Sequence, residues 1–403
     1  MNRTLSTLLL LVLTADALLV FLVPVMVYAH TSSLAWSGLA YAMAWLPRII
    51  VTPLVGVSID RWGVRRVSVV SDLVKLGGCL WMILLLSGEP AVLTVTVSGG
   101  LLGGLVAIGN AQSMIAYEKM IALASRDVDR DVNILCRIDQ LAMVTGPLIG
   151  FMGYAAGAVM LLALAAALYV MNAGCYWFSS AVPRESTRSG HDAALPAADN
   201  LRLILFTPLL VSSVILAFGN NAFDGLVEAG AVTLIDRAMQ LPIQYFAFVD
   251  ICAGACGVAA TLLYPGLSSA MPPLRLFTTA ALITALASAL MVLSQAWLAG
   301  FLALYALNIG GKVFMGNFCR TLRIRIVPVE RLASVSSLMV LLNQAVLPLV
   351  GVTLYLVGEQ PGRLSALMLT AIGITLLGTW LIRCRMQSRS MADAKPSVQF
   401  DRL

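Results

Sequence analysis

Long apolar runs, each closed by a few polar or helix-breaking residues, cover almost the whole chain. They fall at 5–29, 36–59, 67–87, 92–118, 133–155, 158–181, 203–228, 242–264, 275–294, 297–319, 332–357 and 364–383. A hydrocarbon core about 30 Å thick is crossed by roughly 20 residues of α-helix, so this punctuation predicts twelve membrane-spanning helices and no sheet. The first run is about 25 residues long, carries Asp16 and lacks a small-residue cleavage site. It is therefore expected to be retained as the first helix, in place of a cleaved secretion signal.

The longest polar break begins at Pro183 and runs to Asn200. It divides the chain into an amino-terminal bundle at 1–182, a linker at 183–202, a carboxy-terminal bundle at 203–385 and a tail at 386–403, with six helices in each bundle. The other connections are tight, as at Ser87-Gly88-Glu89-Pro90 and Gly358-Glu359-Gln360-Pro361-Gly362. Without a sizeable loop domain, recognition must occur among the helices. Gly99, Gly100, Gly103 and Gly104 in the fourth run, with Gly146, Gly150, Gly153 and Gly157 in the fifth, predict close backbone approach between neighbours.

Composition agrees with this picture, since 60% of residues are hydrophobic and 11% charged, which excludes an ordinary water-soluble domain. Basic residues concentrate on one side. With the amino terminus inside, Arg3, Arg61, Arg65, Arg66, Lys119, Arg126, Arg130, Arg137, Arg184, Arg188, Arg202, Arg275, Arg320, Arg323, Arg325, Arg331 and the tail from Arg383 lie on inner connections. Only Arg237 and Arg363 lie on outer ones, so both termini are expected to be cytoplasmic. The net charge of +6 is then a topology signal and calls for no nucleic-acid partner. Two histidines offer no cluster for a metal, and Cys252 with Cys256 reads as a pair of small packing residues before it reads as a soft-metal site. No cofactor is implied.

The stretch Gly56-Val57-Ser58-Ile59-Asp60-Arg61-Trp62-Gly63-Val64-Arg65-Arg66 follows the second run on the inner side. It resembles the loop between helices 2 and 3 of the major facilitator superfamily, with Gly56, Asp60, Arg61, Gly63, Arg65 and Arg66 in the matching positions. The resemblance implies a twelve-helix transporter of two six-helix bundles that works by alternating access. It also implies that Asp60, Arg61, Arg65 and Arg66 latch the halves in an outward-facing state. The corresponding segment from Tyr264 to Arg275 lacks the acid and the paired arginines, which makes the latch one-sided. Gly146-Pro147-Leu148-Ile149-Gly150 looks like the core of the fifth-helix motif of facilitator antiporters, which is associated with export and with packing of helix 5 against the opposite half.

Ionisable groups inside a bilayer are costly and mark a cavity or a partner. Asp16 lies 13 residues beyond Arg3, roughly 20 Å into the membrane, and is the first candidate for proton or cation binding, with a fixed basic partner as the competing reading. Arg48 and Lys312, from opposite halves, suggest contact with an anionic or carboxylate-bearing substrate, with neutralisation of buried acids as the competing reading. Asp224 and Glu228 share a helix face and are candidates for holding one proton between them, binding a cation or lining the outer gate, with a solvated entrance as the competing reading and Gly225 inviting a local break. Asp250 is a further candidate, while Asp139, Glu118 and Asp72 with Lys75 read as pairing partners at the inner surface.

These features together give a non-enzymatic secondary transporter in the multi-pass class, placed in a bacterial inner membrane and working as a monomer. Its expected activity is proton-coupled efflux of a small polar or anionic organic molecule, such as a drug or carboxylate siderophore. A proton-coupled importer of an organic anion and a metal-ion exporter are the alternatives.

Overall fold

A computed structural model describes residues 3–124, 128–179, 197–327, 329–358 and 362–393. Fourteen α-helices account for nearly all of them: α1 (Arg3–Thr31), α2 (Leu34–Trp62), α3 (Val64–Leu86), α4 (Val92–Ala124), α5 (Val128–Gly153), α6 (Ala158–Phe178), α7 (Ala197–Phe206), α8 (Pro208–Thr233), α9 (Ala247–Ala270), α10 (Pro273–Leu293), α11 (Leu298–Ile326), α12 (Val329–Gln344), α13 (Val346–Val357) and α14 (Arg363–Asp393). The chain is a multi-pass membrane protein, and eleven of its helical segments are long and apolar enough to cross a bilayer. α5 is not among those eleven, because Asp129, Arg130, Asp131, Arg137 and Asp139 crowd its first half. Its 26 residues nevertheless give it a length of about 39 Å.

The expected punctuation has local causes. Ser33 caps α2 by accepting a hydrogen bond from the Trp36 amide at 3.3 Å. Gly63, at φ 82°, turns α2 directly into α3, a backbone conformation that a residue with a Cβ rarely adopts. Proline begins α8 and α10, where its missing amide costs nothing.

Three boundaries differ from the sequence reading. The seventh run is preceded by the separate short helix α7, because Pro208 starts a new helix after Thr207. The eleventh run is two helices, parted at Ala345. The last helix continues to Asp393, beyond the expected boundary at 385. Most of the linker expected from residue 183, including Arg184, Arg188 and His191, lies outside the described residues, as do Arg126 and the tail after 393.

In the amino-terminal half α1 is the central helix, packed by α4, α5 and α6, while α2 lies on α4 and α3 on α6. In the carboxy-terminal half α8 lies on α14 and α13, α10 on α11, and α11 on α9. The two largest pairings between the halves are α2 with α13 and α5 with α9. The first is a backbone contact: a Cβ on Gly351 would stand 2.5 Å from both the Ala42 nitrogen and the Gly38 carbonyl oxygen.

The fifth-helix motif does something different from its expected role. Gly146 and Gly150 face Ala17, Leu18 and Phe21 of α1 in the same half, and α5 continues through Pro147. The face of α5 that meets the opposite half carries Gln140, Met143 and Val144, seated against Gly254 and Gly257 of α9.

Candidate functional site

Asp16 projects from α1 into the interior of its own half, between α3 and α6. Its Oδ1 lies 2.9 Å from Lys75 Nζ and accepts a 2.7 Å hydrogen bond from the Tyr169 hydroxyl. Lys75 also pairs with Asp72 at 3.2 Å, and Asn172 Nδ2 donates to Asp72 Oδ2 at 2.6 Å. The Lys75 ammonium sits 4.4 Å from the centre of the Tyr169 ring. Asp16 is 1% exposed and Lys75 0%. Two expectations change here. The competing reading of Asp16, a fixed basic partner, describes its surroundings, and Asp72 with Lys75 lie within the bundle instead of at the inner surface. The cause is geometric: three helices converge on one depth, so each charge finds a partner without reaching solvent.

A second group of charges does lie between the halves. On α8, Asp224 Oδ1 is 2.5 Å from Lys312 Nζ of α11, and one turn further along Glu228 Oε2 accepts a 2.7 Å hydrogen bond from Tyr41 of α2. Arg48, on the same helix as Tyr41, stacks its guanidinium 4.5 Å above the Trp45 ring. Lys312 lies 5.0 Å over the Phe223 ring. Asp250, on the first turn of α9, is within electrostatic range of Glu228, and Tyr305 of α11 neighbours all three acids. The buried Oδ2 of Asp250 has no hydrogen-bond partner among the described residues. Unlike the Asp16 group, Tyr41, Arg48, Asp224, Glu228, Asp250 and Lys312 are only partly buried, while Phe223 and Tyr305 are buried.

The polar stretch of α8 does not break. Gly225 lies inside a continuous helix, and its missing side chain makes room for Tyr41, whose hydroxyl oxygen would stand 3.2 Å from an added Cβ. The break falls instead on the facing helix: α12 ends at Gln344, and Asn221 Nδ2 donates at 2.8 Å to the main-chain carbonyl of Asn343 beside it. Tyr305 carries no sequence signal as a site residue, and Tyr41 and Trp45 read from sequence equally as interfacial anchors or cavity walls. Tyr41 and Trp45 stand four apart on α2, a helical spacing that also suits plain lipid anchoring.

Toward the end that the arginine census assigns to the outside, the halves are closely joined. Tyr28 of α1 donates at 2.8 Å to Asp236, and Arg237 donates to the Ser32 carbonyl. Both Asp236 and Arg237 lie on a π-helical turn, Leu234–Ala238, that extends α8. Phe21 stacks with Phe246, Phe151 meets Tyr245 and Phe248, and Trp36 meets Tyr355 edge-on. Toward the inner end, Leu262 and Leu263 of α9 and Leu54 of α2 are exposed.

At the inner turn, Arg65 donates to the Trp177 carbonyl at 3.0 Å and to the Ser179 carbonyl. It therefore caps the open carboxy-terminal end of α6 in its own half, where unpaired carbonyls favour a cation, and does not reach across to the other half in these contacts. Arg61 and Arg66 are exposed, while the side chains of Gly56, Asp60, Glu118, Glu330 and Arg331 lie outside the described residues. Cys252 and Cys256 stand 4.0 Å apart, with Cys252 donating to the Leu302 carbonyl.

No family model and no curated protein sequence matches the chain. Solved structures do. A mutant of the nucleoside transporter NupG superposes with a TM-score of 0.76 at 13% identity, covering 94% of this chain and 98% of that one. A bacterial homologue of the iron transporter ferroportin in an inward-facing state gives 0.73 at 15% identity, covering 94% and 97%. The chain shares the fold of these transporter structures. A bacterial homologue of ferroportin in an outward-facing state superposes less well, at 0.63 with 17% identity over 96% of this chain and 99% of that one.

Proposed function

We propose that the chain is a proton-coupled secondary transporter that exports a small polar organic molecule by alternating access, with its substrate site between the halves at Tyr41, Arg48, Asp224, Glu228, Asp250 and Lys312. The observation that carries this reading is the partly buried cluster contributed by α2, α8, α9 and α11, since charges at membrane depth persist where they serve a cavity. In that cluster Asp224, Glu228 and Asp250 stand against Arg48 and Lys312, three acids to two cations. An acid surplus suits exchange: a proton or a donor-bearing, positively charged part of the substrate occupies Asp250 and Glu228, and each excludes the other. Mutual exclusion at one site is the physical requirement for antiport.

The joined outer end and the better superposition on the inward-facing neighbour support an inward-facing state. In this reading α5 also spans, giving twelve crossings with both termini cytoplasmic. The chain acts as a monomer in a bacterial inner membrane, with bundles at 1–182 and 203–385 rocking about the α2–α13 and α5–α9 contacts. The turn with Asp60, Arg61 and Arg66 engages the other half when the inner side closes.

The second reading is import of an organic anion. It draws on Lys312 and Arg48: an anionic group that displaces Asp224 from Lys312 leaves that acid to take up a proton, so anion and proton bind together, as symport requires. Metal export is suggested by the names of neighbouring structures, but among the described residues no three His, Cys, Asp or Glu side chains gather as a metal site.

The two leading readings separate in proteoliposomes containing a pH-sensitive dye and no imposed proton gradient. Under export by exchange, a substrate gradient drives protons in the opposite direction, and Asp250→Asn abolishes that flux. Protons moving with the substrate would favour import.

A further inference from the structure

Outside the substrate site, the lipid-facing side of the amino-terminal half carries a concave groove of about 520 Å³ between α2, α3 and α4. Its origin lies in the packing of small residues. Gly100, Gly103 and Gly104 let α4 press against Ala40, Met43, Ala44 and Pro47 of α2. On the other side, Gly109 of α4 lies against the Lys75 side chain of α3. Beyond Pro47, Val51, Leu54 and Val55 of α2 line the groove toward its inner end.

The walls suit a hydrocarbon chain. They are mainly Leu54, Val67, Val70, Val74, Leu105 and Ile108. Two polar groups on them are already bonded within the protein, Ser58 to the Leu54 carbonyl and Gln112 to the Ser68 hydroxyl. The groove ends at Trp62 and Arg66, both exposed. Tryptophan settles at the headgroup level of a bilayer, and a basic residue beside it on the cytoplasmic face attracts anionic lipid. Its neighbour Arg65 is committed to the carbonyls of Trp177 and Ser179, so Arg66 is the arginine of this pair that faces the membrane surface.

We propose that this groove holds one acyl chain of an anionic phospholipid of the inner leaflet, with the headgroup phosphate on Arg66. The lipid is a wedge between α2 and α3, the two helices joined at the Gly63 turn, so it bears on the segment that moves when the inner side closes. The inference depends on membrane embedding and on the inner placement of Arg66. It does not depend on which substrate is carried or in which direction.

The test uses the full-length protein, delipidated in mild detergent and titrated with phosphatidylglycerol, phosphatidylethanolamine or diacylglycerol of matched chains, with bound lipid counted by native mass spectrometry. The wild type should prefer phosphatidylglycerol, and Arg66→Gln should lower that preference roughly fivefold, as expected for one basic residue at an anionic surface. Val70→Trp, which fills the groove with an apolar ring, should lose the retained lipid whatever its headgroup. Arg363→Gln, at the opposite end of the molecule, should change neither. Equal retention of all three lipids by the wild type would make the groove a plain apolar crevice and overturn the proposal. Wild-type retention by Val70→Trp would overturn it as well, and gel filtration of each variant reports whether it has folded.

Discussion

At the level of single residues, depth in the membrane is a poor guide to role. Asp16 and Asp224 are both acids well inside an apolar helix, yet one is sealed among Lys75, Tyr169 and Asp72 and the other pairs with Lys312 between the halves. What separates them is the direction in which each helix turns the side chain. Lys75→Met should leave two buried carboxylates without their cation, at a cost of about 3–5 kcal/mol, seen as a large fall in melting temperature. Adding Asp16→Asn should restore part of that loss. If Lys75→Met melts like the wild type, the network is not holding the half together. Tyr41→Phe removes one hydrogen bond to a carboxylate, worth about 1.5–3 kcal/mol, and its effect should appear in transport and substrate affinity while the melting temperature changes little.

At the level of helices, small residues decide which pairs can meet. The predicted glycine periodicity in α4 and α5 is present and does bring backbones together, but the partner of α5 at Gly146 and Gly150 is α1. A single sequence carries the spacing of a smooth face and no label for the helix that will occupy it. Gly146→Leu should therefore prevent α5 from seating on α1 and reduce folded protein, measured as the monodisperse fraction in gel filtration. Gly351→Leu has a different expected consequence, because Gly351 meets Gly38 and Ala42 across the halves. Each half can still fold, but the outer ends of α2 and α13 cannot close. Spin labels on exposed outer positions of the two helices should report a longer distance than in the wild type; an unchanged distance would count against this contact as the outer closure.

At the level of the whole molecule, the end that the arginine census assigns to the outside joins the halves through Tyr28 with Asp236, Arg237 with Ser32 and the ring contacts around Phe246 and Tyr245. Its Asp236 and Arg237 sit on a π-helical turn, a feature that no spacing rule would expose and that re-aims two successive side chains. Asp236→Asn should weaken the joint and raise the labelling of a cysteine placed at Glu228 from the outside, whereas labelling from the inside should fall. The sequence by itself determined the membrane class, most of the helical segments and the set of charges worth examining. These follow from one-dimensional rules: the bilayer sets a run length, turns need glycine and proline, and an ionised group in hydrocarbon is costly wherever it stands. Only the tertiary structure decided that Asp16 belongs to a sealed network, that Arg65 caps α6, that Tyr41 reaches Glu228 over Gly225 and that the break near the site falls in the eleventh run and not in α8. Each of those depends on which helices become neighbours and at what rotation, and that arises from contacts between residues more than a hundred positions apart, such as Tyr169 with Asp16 and Tyr41 with Glu228.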